Sequence, residues 1–137
     1  MQGQFTISTQ GPGLYEFTAS VEQWVSSYGG AGVLTLMVRH TSCSLLIQEN
    51  ADPDVKADLN AFFARLVPGA DHPEMGYLKH RSEGPDDMPA HIKAALLPVS
   101  VSIPVTGGQM RLGTWQGIYL MEHRAQPHVR EVVAHLS

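Results

Sequence analysis

The run Val99-Ser100-Val101-Ser102-Ile103-Pro104-Val105-Thr106-Gly107-Gly108-Gln109-Met110-Arg111-Leu112 decides the fold class. Val99, Val101, Ile103 and Val105 alternate with Ser100, Ser102 and Pro104, a period of two that buries one face of a strand. Thr106 to Gln109 reads as a hairpin turn and Met110 to Leu112 as the returning strand. Pro104 lacks a backbone donor and marks a strand end or a sheet edge. Antiparallel sheet is therefore the working hypothesis.

The same alternation recurs outward from this hairpin. Gln4 to Thr9 reads as a strand with Phe5 and Ile7 on one face, and Gly11-Pro12-Gly13 turns the chain into a second strand, Leu14 to Thr18. Val33 to His40 places Leu34, Leu36, Val38 and His40 on one face, with Ser44 to Gln48 as its return partner. Gly117 to Glu122 and Arg130 to Leu136 complete the set. Two stretches change to helical spacing. Ser20 and Gln23 form a capping-box pattern ahead of Val21, Trp24, Val25 and Tyr28, and Gly29-Gly30 ends that helix. Asp52 as N-cap and Pro53 at the first turn begin a second helix with a stripe of Val55, Leu59, Phe62, Phe63 and Leu66, closed by Pro68-Gly69. Tyr77 to His80 is a short extended piece, and a short helix capped by Asp87 or Met88 runs through Ala90 to Leu97. The expected fold is α+β: a mainly antiparallel β-sandwich, jelly-roll-like, with two main helices in a single domain over residues 1–137.

Bulk properties narrow the function classes. The chain has 137 residues, 43% hydrophobic and 16% charged, with a formal charge of −4. That suits one globular domain, and the absence of a basic patch argues against nucleic acid as a partner. MQGQFTIST is polar and unlike a signal peptide, and no apolar run approaches the roughly 20 residues of a membrane helix, so no membrane partner and a cytoplasmic location are expected. The single Cys43 excludes an internal disulfide, and nothing around it lowers its pKa toward a nucleophilic thiolate.

The chemistry concentrates between His80 and Lys93. His80, Glu83, Asp86, Asp87, His91 and Lys93 fall within fourteen positions, with Gly84, Pro85 and Pro89 shaping the backbone. A helix beginning near Asp87 puts Asp87 and His91 one turn apart on one face. Histidines and carboxylates in this density can hold a divalent cation, zinc or magnesium, or divide acid and base roles. The plainer alternative is a helix cap and two surface histidines. His40-Thr41-Ser42 follows an apolar strand and would face this motif across a pocket. His40, His80 and His91 are the candidate metal ligands, while Thr41 and Ser42 offer hydroxyls to a substrate or to a tight turn. In Gly113-Thr114-Trp115-Gln116-Gly117 the indole can wall a pocket and the amide can meet a ligand, unless Trp115 is core. Arg124 can clamp a phosphate or sit in a surface salt bridge. Glu83 and Asp86 read as exposed acids whose loss costs little stability.

Four ordered segments carry a resemblance: His40-Thr41-Ser42, Glu49-Asn50-Ala51-Asp52-Pro53-Asp54, His80-x-x-Glu83-Gly84-Pro85-Asp86-Asp87-Met88-Pro89-Ala90-His91-Ile92-Lys93, and Gly113-Thr114-Trp115-Gln116-Gly117-Ile118-Tyr119. Together they closely resemble the YjbQ-like family, also called the secondary thiamine-phosphate synthase family, over nearly the whole chain. The resemblance implies a β-rich sandwich that assembles as a homotrimer. It implies a small phosphorylated substrate: hydroxymethylpyrimidine diphosphate would join thiazole phosphate with release of diphosphate. It also implies that His40, His80, Glu83, Asp86, Asp87 and His91 line the site, with Thr114, Trp115 and Gln116 nearby. A metal-dependent hydrolase or lyase, or a ligand-binding module without turnover, would draw on the same residues.

Overall fold

The first strand, β1 (Gln2–Thr9), alternates exposed and covered side chains along its length. It pairs antiparallel with the last, β8 (His128–Leu136), which also lies against β3 (Ala31–Val38). β5 (Ser100–Thr106) and the two-residue β6 (Gln109–Met110) extend this five-stranded sheet in the order β1-β8-β3-β5-β6. A second sheet of three strands, β2-β7-β4, is built from β2 (Gly13–Glu16), β7 (Gln116–Glu122) and β4 (Cys43–Glu49). Every pairing is antiparallel. This computed structural model describes residues 1–137.

The hairpin forms as its sequence requires. Gly107 and Gly108 have φ of 58° and 76°, the left-handed conformation that glycine adopts without steric cost. Pro104 lies inside β5, and its carbonyl accepts from Arg111 on the β6 side. Its missing donor therefore also faces that short edge strand, away from β3.

Leu34, Leu36, Ile103, Val105, Val132, Ala134 and Leu136 from the larger sheet meet Leu45, Ile118 and Leu120 from the smaller one in one core. Val21 and Val25 of helix α1 (Thr18–Val25) close one side.

Several expectations are corrected. Helix α1 begins at Thr18, not beyond Ser20, and β2 stops at Glu16. The buried Thr18 hydroxyl donates to Glu16 and accepts from the Ile118 amide, which fixes the chain before any capping box can form. β4 is not the return partner of β3: it crosses to the other sheet and pairs with β7. The short helix expected through Ala90 to Leu97 is present as α3 (Asp87–Leu96), after α2 (Pro53–Leu66), but it starts earlier, with Asp87 as its first residue rather than its cap. No residue of α2 is buried, and Phe62 and Leu66 of its apolar stripe stand 57% and 54% exposed. No helix is long and apolar enough to cross a membrane.

Candidate functional site

Helix α3 and the loop before it build the site. Gly84 takes φ of +101°, which glycine adopts readily, and a Cβ there would come within 3.2 Å of Asp86 Oδ1. That turn delivers Asp86 and Asp87 to the start of α3. Asp87 is 2% exposed, and its two carboxylate oxygens have different partners. Oδ1 accepts from Arg124 Nη1 at 2.7 Å. Oδ2 faces His80 Nε2 at 2.7 Å and, one helical turn on, His91 Nε2 at 3.3 Å. One ligand atom from each of His80, Asp87 and His91 lies within 4.8 Å of the others. The imidazoles are 45% and 32% exposed, so the cluster opens to solvent above a buried carboxylate.

Hydrogen bonds beneath the cluster orient it. His91 Nδ1 lies 2.9 Å from the Thr41 carbonyl, and a carbonyl can only accept, so Nδ1 carries the proton. Asp86 accepts from Arg124 Nε and from the Ala125 amide, both at 2.9 Å, while Arg124 Nη2 donates to the Glu83 carbonyl at 3.2 Å. Burial acts to raise the pKa of both aspartates. For Asp87 the His80 hydrogen bond and the charges of Arg124, His91 and His80 win, holding the carboxyl below its ordinary value. For Asp86 the Ala125 amide and Arg124 do the same. The bond to Asp86, joined by the charges of Asp86, Asp87 and Glu83, raises Arg124.

A buried layer supports Arg124 in turn. Glu122, fully buried, accepts from the amides of His123 and Arg124 and from Thr9 Oγ1, and pairs with Arg130. Arg130 also donates to Ser42 Oγ. Composition and local motif did not single out this layer. One signal could have found it: alternation along β8 puts Arg130 on the same face as Val132, Ala134 and Leu136, and a core-facing guanidinium requires a buried carboxylate.

The structure brings together only part of the expected set. His80, Asp87 and His91 converge, with Asp86 and Arg124 behind them. Arg124 is not a free clamp, because all three guanidinium nitrogens are held. Glu83 is exposed and contributes its carbonyl. His40 stands apart from the cluster: its Nε2 accepts from the Glu131 amide at 2.8 Å, and burial together with Arg130 lowers its pKa. Ser42 is turned inward onto Arg130, and Thr41 meets the site through its carbonyl. The two motifs thus touch by a hydrogen bond and not across a pocket. Lys93 lies about 200° around α3 from His91 and lines a separate cleft. Thr114, Trp115 and Gln116 sit at the start of β7, about 20 Å from its other end by strand rise. Thr114 and Gln116 line a polar cavity of about 430 Å³ there with Glu22, Asn50 and Gln109, and Trp115 is 63% exposed. Burial pushes the Cys43 thiol up to about 11.

The residues fit a divalent cation by their donor chemistry. Two imidazoles and a carboxylate form a set used by zinc and other borderline metals. The Thr41 carbonyl on the far nitrogen of His91, and Arg124 on the far oxygen of Asp87, are the outer contacts that orient such ligands.

A family model described as UPF0047 protein YjbQ-like matches residues 3–137. A UPF0047 protein of Synechocystis is 52% identical over 133 residues, covering 96% of this chain and 87% of that relative. The YjbQ protein of Escherichia coli O157:H7 is 39% identical, covering 99% and 96%. Among solved structures, a conserved hypothetical protein from Thermus thermophilus superposes with a TM-score of 0.84 at 35% identity, covering 98% of this chain and 99% of that one. A hypothetical protein from Aeropyrum pernix gives 0.86 at 30%, covering 100% and 98%.

Proposed function

The chain belongs to the UPF0047 YjbQ-like family, and from that premise we propose a cation-assisted transferase acting on small phosphorylated substrates. The reaction is the one the motif resemblance implies. A thiazole phosphate nitrogen forms a bond to the methylene carbon of hydroxymethylpyrimidine diphosphate, and the carbon–oxygen bond breaks as diphosphate leaves with the electron pair. The demand is for charge neutralisation on the leaving group more than for a strong base.

One observation carries this reading: the protonated Nδ1 of His91 on the Thr41 carbonyl, which turns Nε2 toward Asp87 Oδ2 and His80. His80, Asp87 and His91 would hold the cation, and a bound divalent ion supplies positive charge for a diphosphate. Arg124 keeps Asp87 ionised and fixed by donating to its other oxygen. The solvent-open side of the imidazoles leaves room for the substrate.

The homotrimer and cytoplasmic location belong to the same proposal. Val33, Met37 and Val129, 49%, 44% and 63% exposed, stand on the outer face of the five-stranded sheet that another copy would cover, with Thr35, His135 and the Arg39–Glu131 ion pair between them.

The test is turnover of both substrates with magnesium or zinc, following thiamine phosphate and diphosphate together. Formation of both in equal amounts, lost in His91→Ala and in His80→Ala, supports the reading. No product with either cation, or unchanged turnover in both variants, overturns it.

A further inference from the structure

Thr41 and Ser42 lie between β3 and β4 and belong to neither strand. Neither takes part in a backbone–backbone hydrogen bond, so no ladder holds the link that carries the His91 acceptor. The Thr41 carbonyl accepts from His91 Nδ1 at 2.9 Å. The other protein contacts of the link are to Arg130, whose Nη2 donates to the Ser42 hydroxyl at 2.9 Å and to the Ser42 carbonyl at 3.4 Å. A main-chain carbonyl without such a tether is free to turn toward water. Ser42 is 7% exposed, so the tether is an interior one.

Arg130 is itself fixed. Its Nε donates to Glu122 Oε1 at 2.7 Å and its Nη2 pairs with Oε2, a two-point contact that sets the guanidinium plane. Glu122 also accepts from Thr9 Oγ1 at 2.7 Å and from the amides of His123 and Arg124 at 3.0 and 3.1 Å. A buried ion pair is a poor source of net stability, because desolvating both charges offsets their attraction. The geometry gives this pair a directional use. Glu122 holds the Arg124 main chain, whose side chain grips Asp87, and through Arg130 it holds Ser42 beside the His91 acceptor. Both arms of the His91–Asp87 contact therefore return to one carboxylate.

We infer that Ser42, anchored by Arg130, is a positioning residue that aims the Thr41 carbonyl and so sets the tautomer and ring angle of His91. Its hydroxyl touches neither a cation nor a substrate and works through the main chain of its neighbour. Its effect on zinc affinity presupposes the cation reading, whereas its effect on the ring does not, because the His91–Thr41 bond needs no ion.

Two readouts on the intact protein test this. Nitrogen-15 NMR of the metal-free protein at about pH 8.5, above the ordinary histidine range, reports the tautomer of each imidazole, and zinc titration reports affinity. The parent should show His91 in the Nδ1–H form alone. Ser42→Ala should spread His91 over both tautomers. It should also weaken zinc binding by about threefold to tenfold, less than the roughly tenfold to hundredfold of a group that touches the ligand itself. His40 stands at the head of the same link, tied through Nε2 to the Glu131 amide at 2.8 Å. Its tautomer should not change, which separates a lost aim from an unravelled bend. A His91 ring still wholly in the Nδ1–H form in Ser42→Ala, or one that changes only together with His40, overturns the inference. A parent that takes up no zinc defeats the cation reading instead, and the ring comparison still decides the role of Ser42.

Discussion

His91 and Thr41, fifty residues apart, are joined by a 2.9 Å hydrogen bond from the imidazole Nδ1 to the backbone carbonyl. The acceptor is main chain, so no substitution at position 41 deletes it, and the ring keeps one tautomer while β4 and α3 stay packed. The consequence is a fixed Nε2 facing Asp87. We expect His91→Ala to weaken zinc affinity at least tenfold and to change stability by less than about 1 kcal/mol, since the ring is partly exposed. Isothermal titration with zinc checks this; equal affinity for variant and parent would remove His91 from the cation set.

Asp87 should behave differently. It is 2% exposed and pairs with Arg124, so Asp87→Ala leaves a guanidinium with one of its two carboxylates missing. Breaking a buried pair from one side typically costs about 3–5 kcal/mol. Asp86→Ala should also destabilise measurably, because it strands Arg124 Nε and the Ala125 amide. This replaces the expectation of a solvated acid at position 86. Glu83→Ala should stay within about 0.5 kcal/mol. Urea denaturation orders the three, and a Glu83→Ala loss equal to that of Asp87→Ala would contradict the assignment.

Arg81 is a positioning residue that the motif conceals. Its guanidinium donates to the carbonyls of Leu78, Ala70 and Met75 at 2.9, 3.0 and 2.9 Å, tying together the loop that ends at His80. Arg81→Ala should loosen that loop and weaken zinc binding without touching a ligand. Arg81→Lys should rescue little, because an ammonium does not reproduce the planar fork. Hydrogen exchange across residues 70–81 and zinc titration of both variants decide it.

What is legible in the sequence follows the range of the interaction. Alternation locates the strands, and the Asp87–His91 contact is an i,i+4 relation that one helix dictates. Alternation assigns faces but not partners, so Ser44 to Gln48 reads as the return of β3 when it pairs with β7. His40 continues the apolar face of its strand, and residue type alone groups it with the other histidines. Its true partner, the Glu131 amide, is ninety-one residues away. Arg124 is thirty-eight residues from Asp86, and nothing local distinguishes a free clamp from a buried tie. Lys93 lies only two residues from His91, yet helical rotation separates them, which proximity in sequence hides.

Acid sensitivity should come from His123 as well as from the carboxylates. Its folded pKa is about 4 against an ordinary 6.5, with burial the main cause and Lys93 the next. The unfolded chain therefore takes up a proton on this ring at a pH where the folded protein does not. Stability attributable to His123 is fully present above about 6.5, declines as pH falls toward 4, and is flat below that. Two and a half pH units correspond to on the order of 3 kcal/mol. Asp86, Asp87 and Glu122 have folded pKa values below their ordinary ones, so their contribution is present above the usual carboxylate range and is lost only as pH falls through that range and below it. The two effects occupy different windows, which makes them separable. His123→Gln retains a group able to bond Ser44 but does not titrate. Its stability should vary less between pH 6.5 and 4.5 than that of the parent, while both lose stability alike below pH 4. Melting temperatures recorded at half-unit intervals test this, and parallel curves through the upper window would exclude His123 as the source.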